Sequence, residues 1–248
     1  MTNIVRDESL ILRTRRFKDT SLVVIAFGCK RGKLKLIARG ARRPRSTFGS
    51  SLEPFTRVRI IYYHRPHKEI YNLSETEIID DFSEIRTSPC KIITALTLCE
   101  FLDQTLPPEQ PNPRVYRLAL QTIRMIEQSK SLIHLKSLIY SYLLITTGLL
   151  GYRPELNICV RCLKKPSNLF SIKYGGLVCS ADADQSSIRL TGSAIDLLKR
   201  LYFRQQPQVD IPQLELFDKL VQSYIQYHFE GLELKALKFL QNEKLIAI

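Results

Sequence analysis

Cys159 and Cys162 stand three positions apart, and after sixteen intervening residues comes Cys179. A Cys-x-x-Cys pair at the tip of a turn presents two thiolates to one tetrahedral ion, so this spacing supplies three of the four ligands of a zinc ribbon. Counted from Cys179, the position for a fourth thiolate is Asp182. Aspartate ligates zinc but is an uncommon structural ligand. The histidines, His64, His67, His134 and His228, all lie elsewhere. Two readings follow: a zinc ion held by Cys159, Cys162, Cys179 and Asp182, or a knuckle that has lost its metal and survives by packing. A redox role for the pair lacks the βαβ surroundings it needs. Cys29, Cys90 and Cys99 sit in apolar contexts, as buried small hydrophobes do.

Phosphate binding is the second chemistry. Between Arg13 and Arg45 stand twelve Lys/Arg against one acid, Asp19, which is +11 in 33 residues. The remaining 215 residues hold 25 basic and 23 acidic groups, so the overall charge of +13 is local. A one-sign cluster repels itself and fits a polyanion footprint better than a solvated face, with an acidic protein or a membrane surface as the other possible partners. The residues that would contact DNA are Arg13, Arg15, Arg16, Lys33, Lys35, Arg39, Arg42, Arg43 and Arg45. Phe17, Phe48, Tyr62, Tyr63 and Tyr71 are available to stack on bases, although each aromatic reads first as a core residue.

Other chemistries find little support. Gly28-Cys29-Lys30-Arg31-Gly32-Lys33-Leu34 is one residue short of a P-loop, and Leu34 stands where Ser or Thr must hold magnesium. Glu75, Glu77, Asp80 and Asp81 could hold magnesium for a nuclease but read as a solvated strand end. No small-molecule substrate is indicated, and we expect a protein that is not an enzyme.

These side chains need elements to position them. Val23 to Phe27 is a β-branched run, and Lys33 to Leu36 and Arg57 to Ile60 alternate basic and apolar residues with the period of a half-buried strand. Gly28 to Gly32 reads as a hairpin loop, Gly40 to Ser51 as a longer loop, and Thr56–Tyr63 and Glu69–Ile79 as a further strand pair. About five short antiparallel strands in residues 1–82 predict an oligonucleotide-binding (OB) β-barrel. Ser88 and Pro89 then mark a helix start, as N-cap and N1. Helices are predicted onward from Pro89, over Arg114–Glu127 and Leu132–Leu150 (ended by Gly151 and Pro154), and over Thr191–Phe203, Gln213–His228 and Glu233–Gln241. Residues 155–186 read as an irregular Cys-bearing insert. The expected class is α+β and multidomain: an OB domain at 1–82, a helical domain at 83–154 and 187–248, and a zinc-ribbon-like insert at 155–186 within it. Asp7, Glu8 and Arg13 interrupt any N-terminal leader, and the apolar stretch Leu138–Tyr152 falls short of the ~20 residues of a membrane span, so a cytoplasmic, nucleoid-associated location without membrane contact is expected.

Several pieces in order carry a family resemblance. They are Gly32-Lys33-Leu34 leading into Ala38-Arg39-Gly40-Ala41-Arg42-Arg43-Pro44; Leu52-Glu53-Pro54-Phe55; Gly151-Tyr152-x-Pro154-x-Leu156 running into Cys159-x-x-Cys162; and Gly175-Gly176-Leu177-Val178-Cys179. Over most of its length the chain resembles the RecO family of bacterial recombination mediators. The resemblance implies an OB domain, a helical domain and an inserted zinc ribbon. It also implies binding of single- and double-stranded DNA and annealing of complementary strands. The partners it implies are RecR, RecF and the acidic C-terminal tail of single-stranded-DNA-binding protein, which would be replaced on DNA by RecA. Arg39, Arg42 and Arg43 match the family motif and inherit its DNA-contact role. Two departures stand out. Asp182 replaces the fourth ribbon cysteine. Ser141-Tyr142-Leu143-Leu144 replaces a Phe-Glu-Leu element with a neighbouring arginine, so the basic partner of the acidic tail would be Arg117, Arg124 or Lys136. The alternatives are an OB-type RNA-binding protein and a metal-dependent nuclease using Glu77, Asp80 and Asp81.

Overall fold

The first strand, β1 (Asn3–Phe17), is long enough to border two neighbours. Its first half pairs with β4 (Arg57–His64) and its second half with β2 (Ser21–Gly28), and the register shifts between Ile11 and Arg13 where it changes partner. β2 pairs with β3 (Gly32–Ala38), and β4 with β5 (Tyr71–Asp80). The ring β1-β2-β3-β5-β4 closes on β1. This is a computed structural model describing residues 3–203 and 211–241. The sequence predicted short, wholly antiparallel strands; β1 instead runs fifteen residues, and β3 meets β5 in parallel over Leu36–Ala38 and Tyr71–Leu73. The reason is parity: strands that alternate in direction cannot close a five-membered ring without one seam between two of the same sense. A bulge lets β1 bend between its partners.

Period-2 alternation fills the barrel. Leu34, Leu36 and Ala38 of β3 and Val58, Ile60 and Tyr62 of β4 point inward, joined by Ile11, Val24 and Ala26. Removing these apolar groups from water stabilises the barrel by roughly 25 cal/mol per Å² of buried area.

Packing divides the chain into two compact units, residues 1–128 with 234–248, and Ser129–Glu233. In the first unit, α1 (Pro89–Thr105), α2 (Pro113–Gln128) and α6 (Lys235–Gln241) accompany the barrel. Pro89 occupies the first turn of α1 as predicted, while the Ser88 side chain makes no capping bond and only its carbonyl accepts, from the Ile92 N–H at 3.0 Å. The α1–α2 connection lies along the start of β3: the Glu109 N–H donates to the Lys33 carbonyl at 2.9 Å, and a Cβ on Gly32 would meet the Gln110 carbonyl at 2.3 Å.

In the second unit, α3 (Leu132–Leu149), α4 (Gly192–Tyr202) and α5 (Ile211–His228) accompany three short strands, β6 (Leu169–Ser171), β7 (Gly176–Val178) and β8 (Ser187–Arg189). The insert read as irregular thus contains two strands, β6 and β7, and β8, just past its 155–186 bounds, completes a small sheet ordered β7-β6-β8. Its strands are three residues each, too short for periodicity to register in sequence. Thr191 caps α4 by accepting the Ala194 N–H at 3.1 Å, and Gly151, at φ +106°, follows α3 in a conformation that suits glycine. Among the described residues, α3 is the one helix long and apolar enough to cross a membrane, and most of it is buried.

Candidate nucleic-acid interface and metal site

Strand direction sorts the basic cluster into two ends of the barrel. β1 ends and β2 begins at the Lys18–Thr20 turn, and β3 ends at the same rim. Arg39, leaving β3, starts a loop that folds onto that turn: the Arg42 N–H donates to the Thr20 carbonyl, and Arg42 Nη1 to the Asp19 carbonyl, both at 3.0 Å. Gly40, at φ +69°, and the Arg43 N–H bond to the Gly40 carbonyl at 3.0 Å shape the loop. Arg15, Arg16, Lys18, Arg39, Arg42, Arg43 and Arg45 are all exposed at this rim, and Lys35 is exposed further along β3. None of them forms an ion pair among the described residues. Lys30 and Arg31 occupy the β2–β3 hairpin at the opposite end. There, buried Asp7 accepts both of their backbone N–H groups at 3.0–3.2 Å.

Two of the predicted contact residues are engaged inside the protein. Arg13 Nε pairs with Asp103 Oδ2 at 2.9 Å, and Lys33 Nζ donates to the Asp103 carbonyl at 2.5 Å, on the last turn of α1. Burial lowers the Lys33 ammonium pKa, against the pull of Asp103. β3 therefore alternates as expected, yet its first lysine lies under the α1–α2 connection and only Lys35 is exposed. Of the cations expected to meet an acidic tail, Arg117 and Arg124 are exposed on α2, whereas Lys136 is 5% exposed in α3.

The aromatics separate equally clearly. Phe48, Tyr62 and Tyr71 belong to the barrel core, while Phe17 and Tyr63 are 37% and 40% exposed. Sequence reasoning missed Arg65, which lines a groove of about 480 Å³ with Arg39, Tyr63, Asn72 and Ser74. Nothing in the sequence signals that pairing; the short parallel seam creates it.

Three members of the acidic group have structural partners. Glu77 pairs with Arg59, and Asp80 and Asp81 accept the backbone N–H groups of Phe82 and Ser83 at 3.2 Å. Among the described residues, the one cluster able to hold a metal ion is Cys159, Cys162, Cys179 and Asp182, whose ligand atoms all lie within 4.8 Å of one another.

Two knuckles build that cluster. In the first, the Leu163 N–H donates to the Cys159 carbonyl at 2.9 Å; in the second, the Asp182 N–H donates to the Cys179 carbonyl at 3.1 Å. Cys162 and Cys179 sulfurs stand 3.8 Å apart, and Asp182 Oδ2 lies 3.4 Å from Cys159 Sγ and 3.1 Å from Cys179 Sγ. A tetrahedron with zinc–sulfur arms of about 2.3 Å has edges of about 3.8 Å, shorter where oxygen replaces sulfur, so the donors fit such an ion. Burial opposes ionisation of Cys159, but the N–H groups of Cys162, Cys179 and Arg161 hold its thiol below the ordinary value. The three thiols around Asp182, Cys179 foremost, hold its carboxyl below the usual range. The Lys164 N–H favours the Cys162 thiolate, but Asp182 and Cys159 outweigh it and push that thiol up to about 11.

Fold and site together define an α+β protein with an OB barrel, a helical part and a zinc-ribbon-like insert. The description "Recombination protein O N terminal" matches residues 1–82, and "Recombination protein O C terminal" matches residues 86–238. The chain belongs to the RecO family of DNA repair proteins. It is similar to the DNA repair protein RecO of Alkaliphilus metalliredigens, 25% identical with 95% of this chain and 98% of the relative covered. It is also similar to DNA repair protein RecO of Bifidobacterium animalis subsp. lactis, 28% identical over 92% of this chain and 95% of the relative, and to that of Syntrophus aciditrophicus, 27% identical over 95% and 94%.

Proposed function

We propose that this protein is a non-enzymatic recombination mediator of the cytoplasm and nucleoid. It binds single- and double-stranded DNA, anneals complementary strands and, with RecR and RecF, helps RecA replace single-stranded-DNA-binding protein. The observation that carries the DNA reading is the set of exposed arginines and lysines, free of ion pairs among the described residues, gathered at one rim of the barrel. Such cations screen phosphate repulsion between two strands, and release of condensed counterions drives binding without any covalent step. The 1–82 barrel is the nucleic-acid-binding domain in this reading, with 83–154 and 187–248 as the helical domain and 155–186 as the ribbon. RecR, RecF, RecA and the acidic tail come from family membership. Exposed Arg117 and Arg124, seven residues and about two turns apart on one face of α2, are the cations suited to that tail.

Cys159, Cys162, Cys179 and Asp182 would hold a zinc ion, which supplies a cross-link between the two knuckles. The test of function is single-strand affinity measured against salt. A steep fall of log affinity with log salt supports the reading, and a slope near zero overturns it. Competition between matched DNA and RNA strands separates DNA from RNA as target.

A further inference from the structure

Register places one residue from every strand in a single outer row of the barrel. Arg15 stands opposite Val23, Val23 opposite Ile37, Ile37 beside Asn72, Asn72 opposite Tyr63, and Tyr63 opposite Ile4. Aligned residues on neighbouring strands project from the same face of a sheet, so these six form a continuous outward belt. β1 contributes to it twice because it borders both β2 and β4. The belt is unusual for an outer surface. Val23, Ile37 and Asn72 are half-buried, Tyr63 is 40% exposed and Ile4 64% exposed, with a cation only at its Arg15 end. Beside it stand the cations of the rim: Arg39 and Arg65 line the same groove as Tyr63 and Asn72.

A double helix buries its bases and offers phosphates to a flat or convex protein face, and it needs no apolar floor. A single strand offers base faces as well as phosphates, and aromatic side chains hold those faces without regard to sequence. We infer that this belt is the floor of a single-strand path, with Tyr63 stacking on one unpaired base in the groove while Arg39 and Arg65 hold the phosphates on either side. The groove's volume of about 480 Å³ lies in the range of small-ligand sites, enough for a nucleotide unit. Asn72, which also lines the groove, offers an amide that can hydrogen-bond a base edge of any type. The inference rests on the DNA-binding reading above and adds to it a device that separates single strands from duplex.

The test uses the full chain with a single strand carrying a fluorescent base analogue, and a blunt duplex of the same sequence. Tyr63→Leu keeps a β-forming apolar side chain but removes the ring; Tyr63→Phe keeps the ring. Tyr63→Leu is expected to weaken single-strand binding about tenfold, to lose the stacking quench of the analogue and to leave duplex affinity and the salt slope as in the wild type. Tyr63→Phe is expected to retain both affinity and quench. The belt is overturned if Tyr63→Leu binds single strands like the wild type, or if single strands and duplex weaken equally. A melting temperature matching the wild type shows that Tyr63→Leu is folded; if it is not, the quench with Tyr63→Phe decides, since its loss in a folded ring-bearing variant also overturns the stacking. A wild type that binds no single strand fails differently, sinking the DNA reading and the belt together.

Discussion

The rim of the barrel and the ribbon place charged or ligating side chains in opposite ways. The ribbon draws its four candidate ligands from 24 residues, Cys159 to Asp182, and brings their ligand atoms within 4.8 Å of one another. The rim draws on the end of β1, a loop after β3 and, through the β3–β5 seam, on Arg65 beyond β4. Its cations stay apart and exposed. A metal needs convergent donors at fixed distance, which short turns supply locally. A flexible polyanion needs divergent cations spread along a path, which a barrel end supplies from several strands. Substitution in the ribbon should therefore act on stability and metal content, and substitution at the rim on affinity.

The largest effect is expected in the ribbon. One zinc per chain should appear by mass spectrometry of freshly purified protein, and Cys159→Ser should abolish it. Structural zinc in small fingers is worth on the order of 10 kcal/mol, so metal removal should lower the melting temperature of the second unit strongly while leaving DNA affinity nearly intact. Asp182→Cys should slow zinc loss to a chelator. Metal-free wild type would break the comparison at this end.

At the rim, Arg39→Ala, Arg42→Ala and Arg43→Ala together would remove three of the proposed phosphate contacts. At roughly 0.7 in salt slope per contact on a single strand, the slope should flatten by about 2 and affinity near 0.1 M salt should fall about a hundredfold. Circular dichroism should show an unchanged fold. An unaltered slope would show that these arginines do not touch the strand.

Arg13→Ala sharpens the contrast within the cluster itself. Arg13 is paired with Asp103, so its loss should cost stability of up to about 1 kcal/mol, since the pair is partly exposed, and little DNA affinity. A rim-sized loss of affinity would place Arg13 in the contact surface despite its partner.

The smallest effect is one of pH. Burial holds His228 of α5 below the ordinary imidazole value of 6.5, against a bond to the Ile172 backbone. The folded chain thus favours the neutral ring. Its contribution is present above 6.5 and is lost as pH falls through the lower folded value. His228→Phe should flatten this acid-side decline in denaturant titrations of the wild type; an identical decline in both would remove the histidine from the account.

Periodicity made the helices and the barrel legible because alternation and 3.6-residue repeats are written locally. Thr191, Pro89 and Gly151 likewise mark ends that the structure keeps. Leu52-Glu53-Pro54-Phe55 was visible as a motif but not as a device. At the β1 bulge the N–H of buried Phe55 donates to the Ile11 carbonyl and the Ile11 N–H donates to the Thr56 carbonyl, while Arg86 holds the Pro54 carbonyl and stacks on the Phe55 ring. Tyr63 and Tyr62 are adjacent in sequence, yet one is core and the other surface, because a strand turns successive side chains to opposite faces.

By itself the sequence determined the charge cluster, the candidate ligand quartet, the helices and barrel strands, and the family, since each depends on residue kind and short spacing. Only the tertiary structure decided which of those cations are free, because Asp103 reaches Arg13 and Lys33 from a helix seventy or more residues away. It alone decided that Arg39 and Arg65 share a groove with Tyr63, because barrel closure sets β3 against β5 and that register has no local signature.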